Sequence, residues 1–142
     1  MTIVFDAPVT VVPVTADSGL RPLSVQPFQY RAAVAAGAVP VDVRPVAARR
    51  EHGPLFGAMA LDLDEALDLL TPGTPGALRS ATEEAEWLLV TDDGYDAEML
   101  AWHLQARGVR GARFVVGGHR ALRAAGINGV AEADALHLFD AH

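Results

Sequence analysis

The sequence has 142 residues, a net charge of −7 and 51% hydrophobic residues. This length and composition suit one compact domain and argue against disorder. The negative charge disfavours a nucleic-acid partner, because phosphate binding needs clustered Lys and Arg. The absence of cysteine excludes disulfides, thiolate metal sites and cysteine nucleophiles among these residues.

Residues 1–23 are predicted to form an N-terminal extension. Residues 2–14 are rich in Val and Thr and contain two prolines, a pattern that favours a frayed or edge strand, and a turn follows. The start of the chain has no signal-peptide pattern, and no apolar run approaches the ~20 residues of a membrane span. We therefore expect a cytoplasmic protein with no membrane partner.

Residues 24–126 alternate between helical and extended patterns. The predicted elements, in chain order, are a helix capped by Ser24 and ending at Gly37, a strand at 38–45, a helix at 46–51, a strand at 59–61, a helix at 62–70, a strand at 87–90, a helix at 96–107, a strand at 112–116 and a helix at 119–125. This alternation predicts an α/β domain with a central parallel sheet flanked by helices. Residues 127–142 form a tail in which Leu136, Leu138 and Phe139 can pack on the domain or on another chain.

The stretch V-T-D-D-G-Y-D-A at 90–97 stands between a predicted strand and a predicted helix. A strand, a tight loop and a helix N-terminus usually favour an anion, because the first N–H groups of a helix have no partner within it. Here the loop carries Asp92, Asp93 and Asp96. The sequence thus places three carboxylates where an anion is expected to bind.

Three further motifs, in order along the chain, carry a family resemblance. They are V-D-V-R-P at 41–45, G-P-L-F-G-A at 53–58 and G-G-H-R-A-L-R-A-A-G at 117–126. With them the chain resembles the rhodanese homology domain, from about Ser24 to Gly126. The resemblance implies a three-layer α/β fold with a central parallel sheet. It is finer for a bacterial subgroup associated with cysteine dioxygenases, since Gly94 and Tyr95 match the loop of that subgroup.

The resemblance also implies sulfurtransferase chemistry, in which a cysteine thiolate carries sulfane sulfur. In this chain the cysteine position falls at Thr91, and a threonine hydroxyl cannot hold a persulfide. Family loops aim N–H groups at the sulfur and at anionic substrates. The aspartates oppose thiosulfate, and also a phosphate ester such as the related cell-cycle phosphatases accept.

We therefore interpret the stretch Thr91, Asp92, Asp93, Gly94, Tyr95 and Asp96 as a degenerate active-site loop that its own side chains fill. Asp96 is predicted to cap the following helix, and Asp92 or Asp93 to accept loop N–H groups. Thr91 is predicted to be a strand-end hydroxyl bonded to the loop backbone. The function predicted is a binding or regulatory module without catalytic residues, metal or cofactor, and with a protein or a small molecule as partner.

Two alternatives remain open. The acidic loop can serve an enzyme of another kind, as a metal or general-base site, although its spacing does not match the EF-hand pattern. Otherwise the chain is an inactive partner subunit of an active sulfurtransferase. The oligomeric state cannot be read from the sequence.

Other polar and aromatic residues are given structural roles. Asp42 and Arg44 are expected to form an ion pair or a hydrogen-bond network at a strand end, and they join His52 and His119 as candidates for the rim of the site. His103 is expected at the surface or packed. Trp87 and Trp102 are expected to be core residues or to pack between subdomains.

Overall fold

The computed structural model describes residues 23–127. The predicted strand at 2–14 and tail residues 128–142 lie outside the described residues. Within 23–127 the strands are β1 (Ser24–Val25), β2 (Val39–Asp42), β3 (Met59–Ala60), β4 (Trp87–Val90) and β5 (Arg113–Val115). The α-helices are α1 (Tyr30–Ala35), α2 (Val46–His52), α3 (Leu63–Leu70), α4 (Tyr95–Ala106) and α5 (Gly118–Ala124), and a 3₁₀ helix at Pro27–Gln29 precedes α1.

The strands form one parallel sheet in the order β1-β5-β4-β2-β3. Its central strand β4 is buried along its whole length, as an apolar W-L-L-V run in a covered parallel sheet should be. Pro40 lies in β2, whose pairing with β3 begins only at Val41. Because Val39 and Val43 donate their N–H groups towards β4, the N–H that Pro40 lacks would point to the other side, before β3 begins.

Helices cover both faces of the sheet and give two hydrophobic clusters. Residues of α3 and α4 pack on one face with Val41, Leu89 and Phe114. Residues of α1 and α5 pack on the other face with Leu88, Val90 and Val115. The structure therefore confirms the predicted three-layer α/β architecture. Leu23 packs against the first cluster and Ile127 belongs to the second.

The prediction of a helix capped by Ser24 is wrong. Ser24 and Val25 pair with β5 instead, where Leu23 and Val25 accept the N–H groups of Phe114 and Val116. Gln26 is extended with φ −73° and ψ 153°, because the ring of a following proline disfavours the helical conformation. The helical turns begin only at Pro27.

The two tryptophans differ in environment. Trp87 is buried in the first cluster, as predicted. Trp102 is exposed on α4, so its prediction as a core residue is wrong. His103 is exposed beside it. Among the helices of residues 23–127, none is long and apolar enough to cross a membrane.

Candidate functional site

A cleft of about 420 Å³ opens at the edge of the sheet where β2, β3 and β4 end. Parallel strands bring their carboxyl ends to the same edge, which is where ligands of open α/β sheets bind. The cleft is lined by Val43, Arg44, Pro45, Asp62, Leu63, Asp64, Thr91, Asp92, Asp93 and Asp96. Of the five aspartates within residues 23–127 that line it, the loop after β4 supplies Asp92 and Asp93, the first turn of α4 supplies Asp96, and the start of α3 supplies the other two.

Thr91 directly follows the buried strand β4 and is itself buried. Its Oγ1 accepts the N–H groups of Gly94 at 3.2 Å and of Ala97 at 3.3 Å. These donors lie at the start of α4, where a helix leaves its N–H groups without carbonyl partners. The predicted strand-end role of the Thr91 hydroxyl is confirmed.

The aspartates of the loop have separate roles. Asp93 Oδ1 accepts the N–H of Tyr95 at 3.0 Å, as predicted for one of these side chains. Asp92 Oδ2 pairs with the Arg120 guanidinium at 3.1 Å. Asp92 Oδ1 is buried and has no hydrogen-bond partner among the described residues.

The prediction that Asp96 caps α4 is wrong. The N-cap residue is Gly94, which has φ 92°, and Asp96 lies inside the first turn of the helix. The left-handed conformation at position 94 needs glycine, and it starts the helix two residues earlier than an aspartate cap would. Asp96 still lies favourably in the dipole of the helix N-terminus and lines the cleft.

A second loop that contains glycines packs against the loop after β4. Its residues Gly117 and Gly118 both have positive φ. A Cβ atom at Gly118 would collide with the carbonyl oxygens of Thr91 and Asp92. The N–H groups that follow, of His119 and Arg120, donate to these same two carbonyls at 2.8 and 3.0 Å.

A buried polar network lies beneath the cleft. Arg44 Nη2 pairs with Asp42 Oδ2 at 2.8 Å, and Arg44 Nε donates to Asp42 Oδ1 at 3.0 Å. Arg44 also donates to the carbonyl of Gly53 and to Nδ1 of His119. Since a guanidinium can only donate, His119 Nδ1 accepts and the ring is neutral with its proton on Nε2. The predicted Asp42–Arg44 ion pair is confirmed.

The four predicted rim residues therefore have different positions. Arg44, Asp42 and His119 are all buried, and of these three Arg44 borders the cleft. His52 does not line the cleft and approaches Glu51 at 3.8 Å, at the end of α2. A role in binding for these residues stays a prediction.

Asp62 and Asp64 were missed as site residues. Asp62 immediately precedes α3 and Asp64 lies in its first turn, where the helix dipole favours negative charge. The signal that could have found them is their place directly after β3, since all strands of a parallel sheet end at one edge. No three His, Asp or Glu side chains of residues 23–127 come together in a way that could hold a metal ion.

Comparison with solved structures gives similar folds. One is a protein of unknown function from Rhodopseudomonas palustris, described as a possible tyrosine phosphatase, with a TM-score of 0.65 and 22% identity over 80% of this chain and 86% of that one. Another is a rhodanese-like domain from Anabaena, with a TM-score of 0.59 and 15% identity over 80% and 83% of the two chains. A rhodanese homologue from Thermus thermophilus has a TM-score of 0.53 and 27% identity over 70% of this chain and all of that one.

Neither the protein-family models nor the curated proteins contain a match to the sequence. The sheet and the position of its cleft define an α/β domain of the kind that places its site at the carboxyl ends of parallel strands. Within that class, the chain is a domain with the rhodanese-like fold. The resemblance found in the sequence motifs is thus confirmed, and its finer assignment to the subgroup associated with cysteine dioxygenases stays a prediction.

Proposed function

We propose that this rhodanese-like domain does not transfer sulfur and acts as a binding module for a partner. The observation that carries the proposal is Thr91. It stands where the family resemblance places the sulfur-carrying cysteine, and its hydroxyl is engaged by the N–H groups of Gly94 and Ala97. A hydroxyl that accepts two backbone N–H groups serves the structure of the loop, and within residues 23–127 no basic side chain is hydrogen-bonded to it to make it a nucleophile.

The charge of the cleft supports the same proposal. Among the described residues, five aspartates line it and Arg44 is the single basic residue of the lining, where it is paired with Asp42. An anion about 5 Å from one carboxylate is destabilised by about 1 to 3 kcal/mol at the effective dielectric of a protein surface. Thiosulfate and phosphate esters are therefore poor ligands. For the same reason, the activity described as possible for the Rhodopseudomonas protein is not transferred to this chain.

The direct test is sulfur transfer from thiosulfate to cyanide by the purified protein. We expect no thiocyanate above a heat-killed control, with an active rhodanese assayed alongside as the positive control. Measurable turnover by the folded protein would contradict the proposal.

The electrostatic part is tested by rebuilding the site. Thr91→Cys alone should give little activity, because Asp92, Asp93 and Asp96 still oppose both the thiolate and an anionic donor. Adding Asp→Asn changes at these three positions should raise turnover by roughly tenfold or more, the effect of about 1.4 kcal/mol at the transition state. Asn keeps an oxygen acceptor at Asp93 for the N–H of Tyr95.

The same three Asn changes with Thr91 retained form the matched control and should remain inactive. If Thr91→Cys alone reaches the turnover of an active rhodanese, the electrostatic argument is wrong. A quadruple variant that folds and remains as inactive as the single variant would contradict it as well.

A second candidate function is an enzyme of another kind. The aspartates that line the cleft, Asp92 among them, favour it, because a carboxylate positioned beside a substrate could accept a proton from it. Calorimetric titration with Mg²⁺, Mn²⁺ and Ca²⁺ tests the form of this proposal that requires a metal. Heat of binding that disappears in Asp92→Asn would favour it over the binding module.

A further inference from the structure

The outer face of α4 carries three exposed apolar side chains. Tyr95 is 65% exposed, Met99 is 45% exposed and Trp102 is 61% exposed. Residues spaced by three or four positions lie on the same side of a helix, so the three form one stripe. The opposite side of α4, with Ala97, Leu100, Ala101 and Leu104, is buried.

The composition of this stripe is typical of a protein interface. Aromatic residues and Met are enriched at interface cores, and Trp and Tyr are the residues that most often dominate binding energy. Contiguous exposed apolar surface with a polar border is a feature of interaction sites. Here the border includes Asp96 and Glu98 in the first turn of the same helix.

The stripe begins where the acidic cleft ends. Tyr95 directly follows the loop of Asp92 and Asp93, and Asp96 of the same helical turn lines the cleft. The part of the cleft lining that lies within residues 23–127 includes five aspartates, which offer carboxylate acceptors beside the stripe. A bare metal ion needs several oxygens converging within about 2.6 Å, and residues 23–127 offer no such group. Guanidinium and ammonium groups need only carboxylate acceptors and space.

We propose that the stripe and the cleft together dock a basic amphipathic segment of another protein. Its apolar side chains lie on Tyr95, Met99 and Trp102, and its Arg or Lys side chains enter the cleft. Cationic groups that pass over the aromatic rings add cation–π attraction. This assignment rests on the proposed function as a binding module and names the chemistry of its partner.

Charge distinguishes this occupant from segments of the same chain and from a second copy. Residues 128–142 carry Glu132, Asp134 and Asp140 and no Arg or Lys. Residues 1–22 carry two aspartates against one arginine. A symmetric pair of copies would place the same acidic cleft against itself. A basic partner is the occupant whose charge is complementary to this surface.

The test uses the full chain and a labelled amphipathic helical peptide of leucine and lysine, followed by fluorescence anisotropy. We expect saturable one-to-one binding that weakens as salt rises. Trp102→Ala and Asp96→Asn should each weaken binding at least tenfold. Phe28→Ala and Glu83→Gln are matched controls, since they remove an exposed aromatic ring and an exposed carboxylate away from this surface, and both should bind as the parent does.

Several results would overturn the proposal. Equal binding of a leucine–glutamate peptide, or equal binding by all variants, would show nonspecific adhesion. If spermidine displaces the labelled peptide as strongly as unlabelled peptide does, and peptide binding does not depend on Trp102, the cleft is a site for free cations. A dimer that Trp102→Ala dissociates would identify a second copy as the occupant. No peptide binding by a protein that also transfers no sulfur would remove this partner while leaving the absence of catalysis intact.

Acrylamide quenching tests whether the chain covers its own stripe. The emission of Trp102 is obtained as the difference between the parent and Trp102→Phe, and we expect it to be quenched readily. A shielded Trp102 in a monomeric protein would show that a segment of the same chain occupies the stripe, against the proposal.

Discussion

At the scale of single residues, Gly118 allows the loop after β4 to pack against the start of α5 because it has no Cβ atom. Its φ is 63°, and an added Cβ would strike the carbonyl oxygens of Thr91 and Asp92. These are the carbonyls that accept the N–H groups of His119 and Arg120. Any side chain at position 118 would therefore push the loop after β4 away from the start of α5.

We predict that Gly118→Ala lowers the free energy of unfolding by more than the strain of its backbone conformation alone, which is about 1 to 2 kcal/mol. Gly126→Ala is the matched control, because Gly126 has φ 76° and nothing within 4 Å of an added Cβ. Denaturant unfolding followed by circular dichroism measures both. An equal loss in the two variants would show that the contact with Thr91 does not constrain the loop.

Prediction of side-chain roles from the sequence succeeded where the partners lie close by in the sequence. The Thr91 hydroxyl and the Asp93 carboxylate accept N–H groups within six residues of themselves. It failed for Asp96, because the glycine conformation that starts α4 is not evident from charge patterns. It also missed Arg120, which reaches Asp92 across 28 positions of sequence.

At the scale of elements, the predictable segments are those whose own residues determine them. The apolar run of β4 was predicted at 87–90 and is found there, and α4 differs from its predicted bounds by one residue at each end. The strand β1 was missed because its two residues are extended only through their pairing with β5, some 90 residues later. A two-residue segment contains no sequence pattern that indicates pairing with so distant a strand.

The network between β2 and α5 ties two elements by buried charge. Arg44→Met should cost about 3 to 5 kcal/mol of unfolding free energy, because it leaves the buried Asp42 carboxylate with only the more distant Arg49 guanidinium, at 4.0 Å. The double variant Asp42→Leu/Arg44→Met should be less destabilised than Arg44→Met alone, since no unpaired charge remains. A double-mutant cycle by denaturant unfolding measures the coupling. Strictly additive losses would mean that the pair contributes no mutual stabilisation.

At the scale of the whole molecule, alternating strands and helices predicted the parallel sheet and its covered faces. The strand order β1-β5-β4-β2-β3 was not predictable from the sequence, since local patterns do not determine which strands are neighbours. The position of Asp62 and Asp64 in the cleft depends on that order and on how α3 returns over the sheet. The acidic loop was therefore predictable, whereas the full acidic cleft required the structure.

Stability at high pH also depends on the whole composition. The sequence contains neither lysine nor cysteine, and its two tyrosines are Tyr30 and Tyr95, so these are the only side chains that ordinarily titrate near pH 10. Tyr30 is buried in the second cluster. Burial raises the pKa of Tyr30, and the charge of Asp42 raises that pKa further.

Because this pKa is higher in the folded than in the unfolded protein, the folded state keeps a proton that the unfolded state releases. The stabilisation is complete below about pH 10, the ordinary value for tyrosine, and is lost as the pH rises above it, by up to about 1.4 kcal/mol per pH unit. Tyr30→Phe should remove this loss. It should also be neutral or stabilising at pH 7, because the Tyr30 hydroxyl is buried without a hydrogen-bond partner among the described residues.

Urea unfolding of the parent, Tyr30→Phe and Tyr95→Phe between pH 7 and pH 11 tests the prediction. Tyr95 is exposed, so Tyr95→Phe serves as the matched control and should follow the parent across the range. The unfolding free energies of the parent and of Tyr30→Phe should diverge only above about pH 10, with Tyr30→Phe the more stable. Parallel curves throughout would mean that the Tyr30 hydroxyl reaches solvent or an acceptor when the protein is folded, and that the second cluster is less tightly closed than its packing implies.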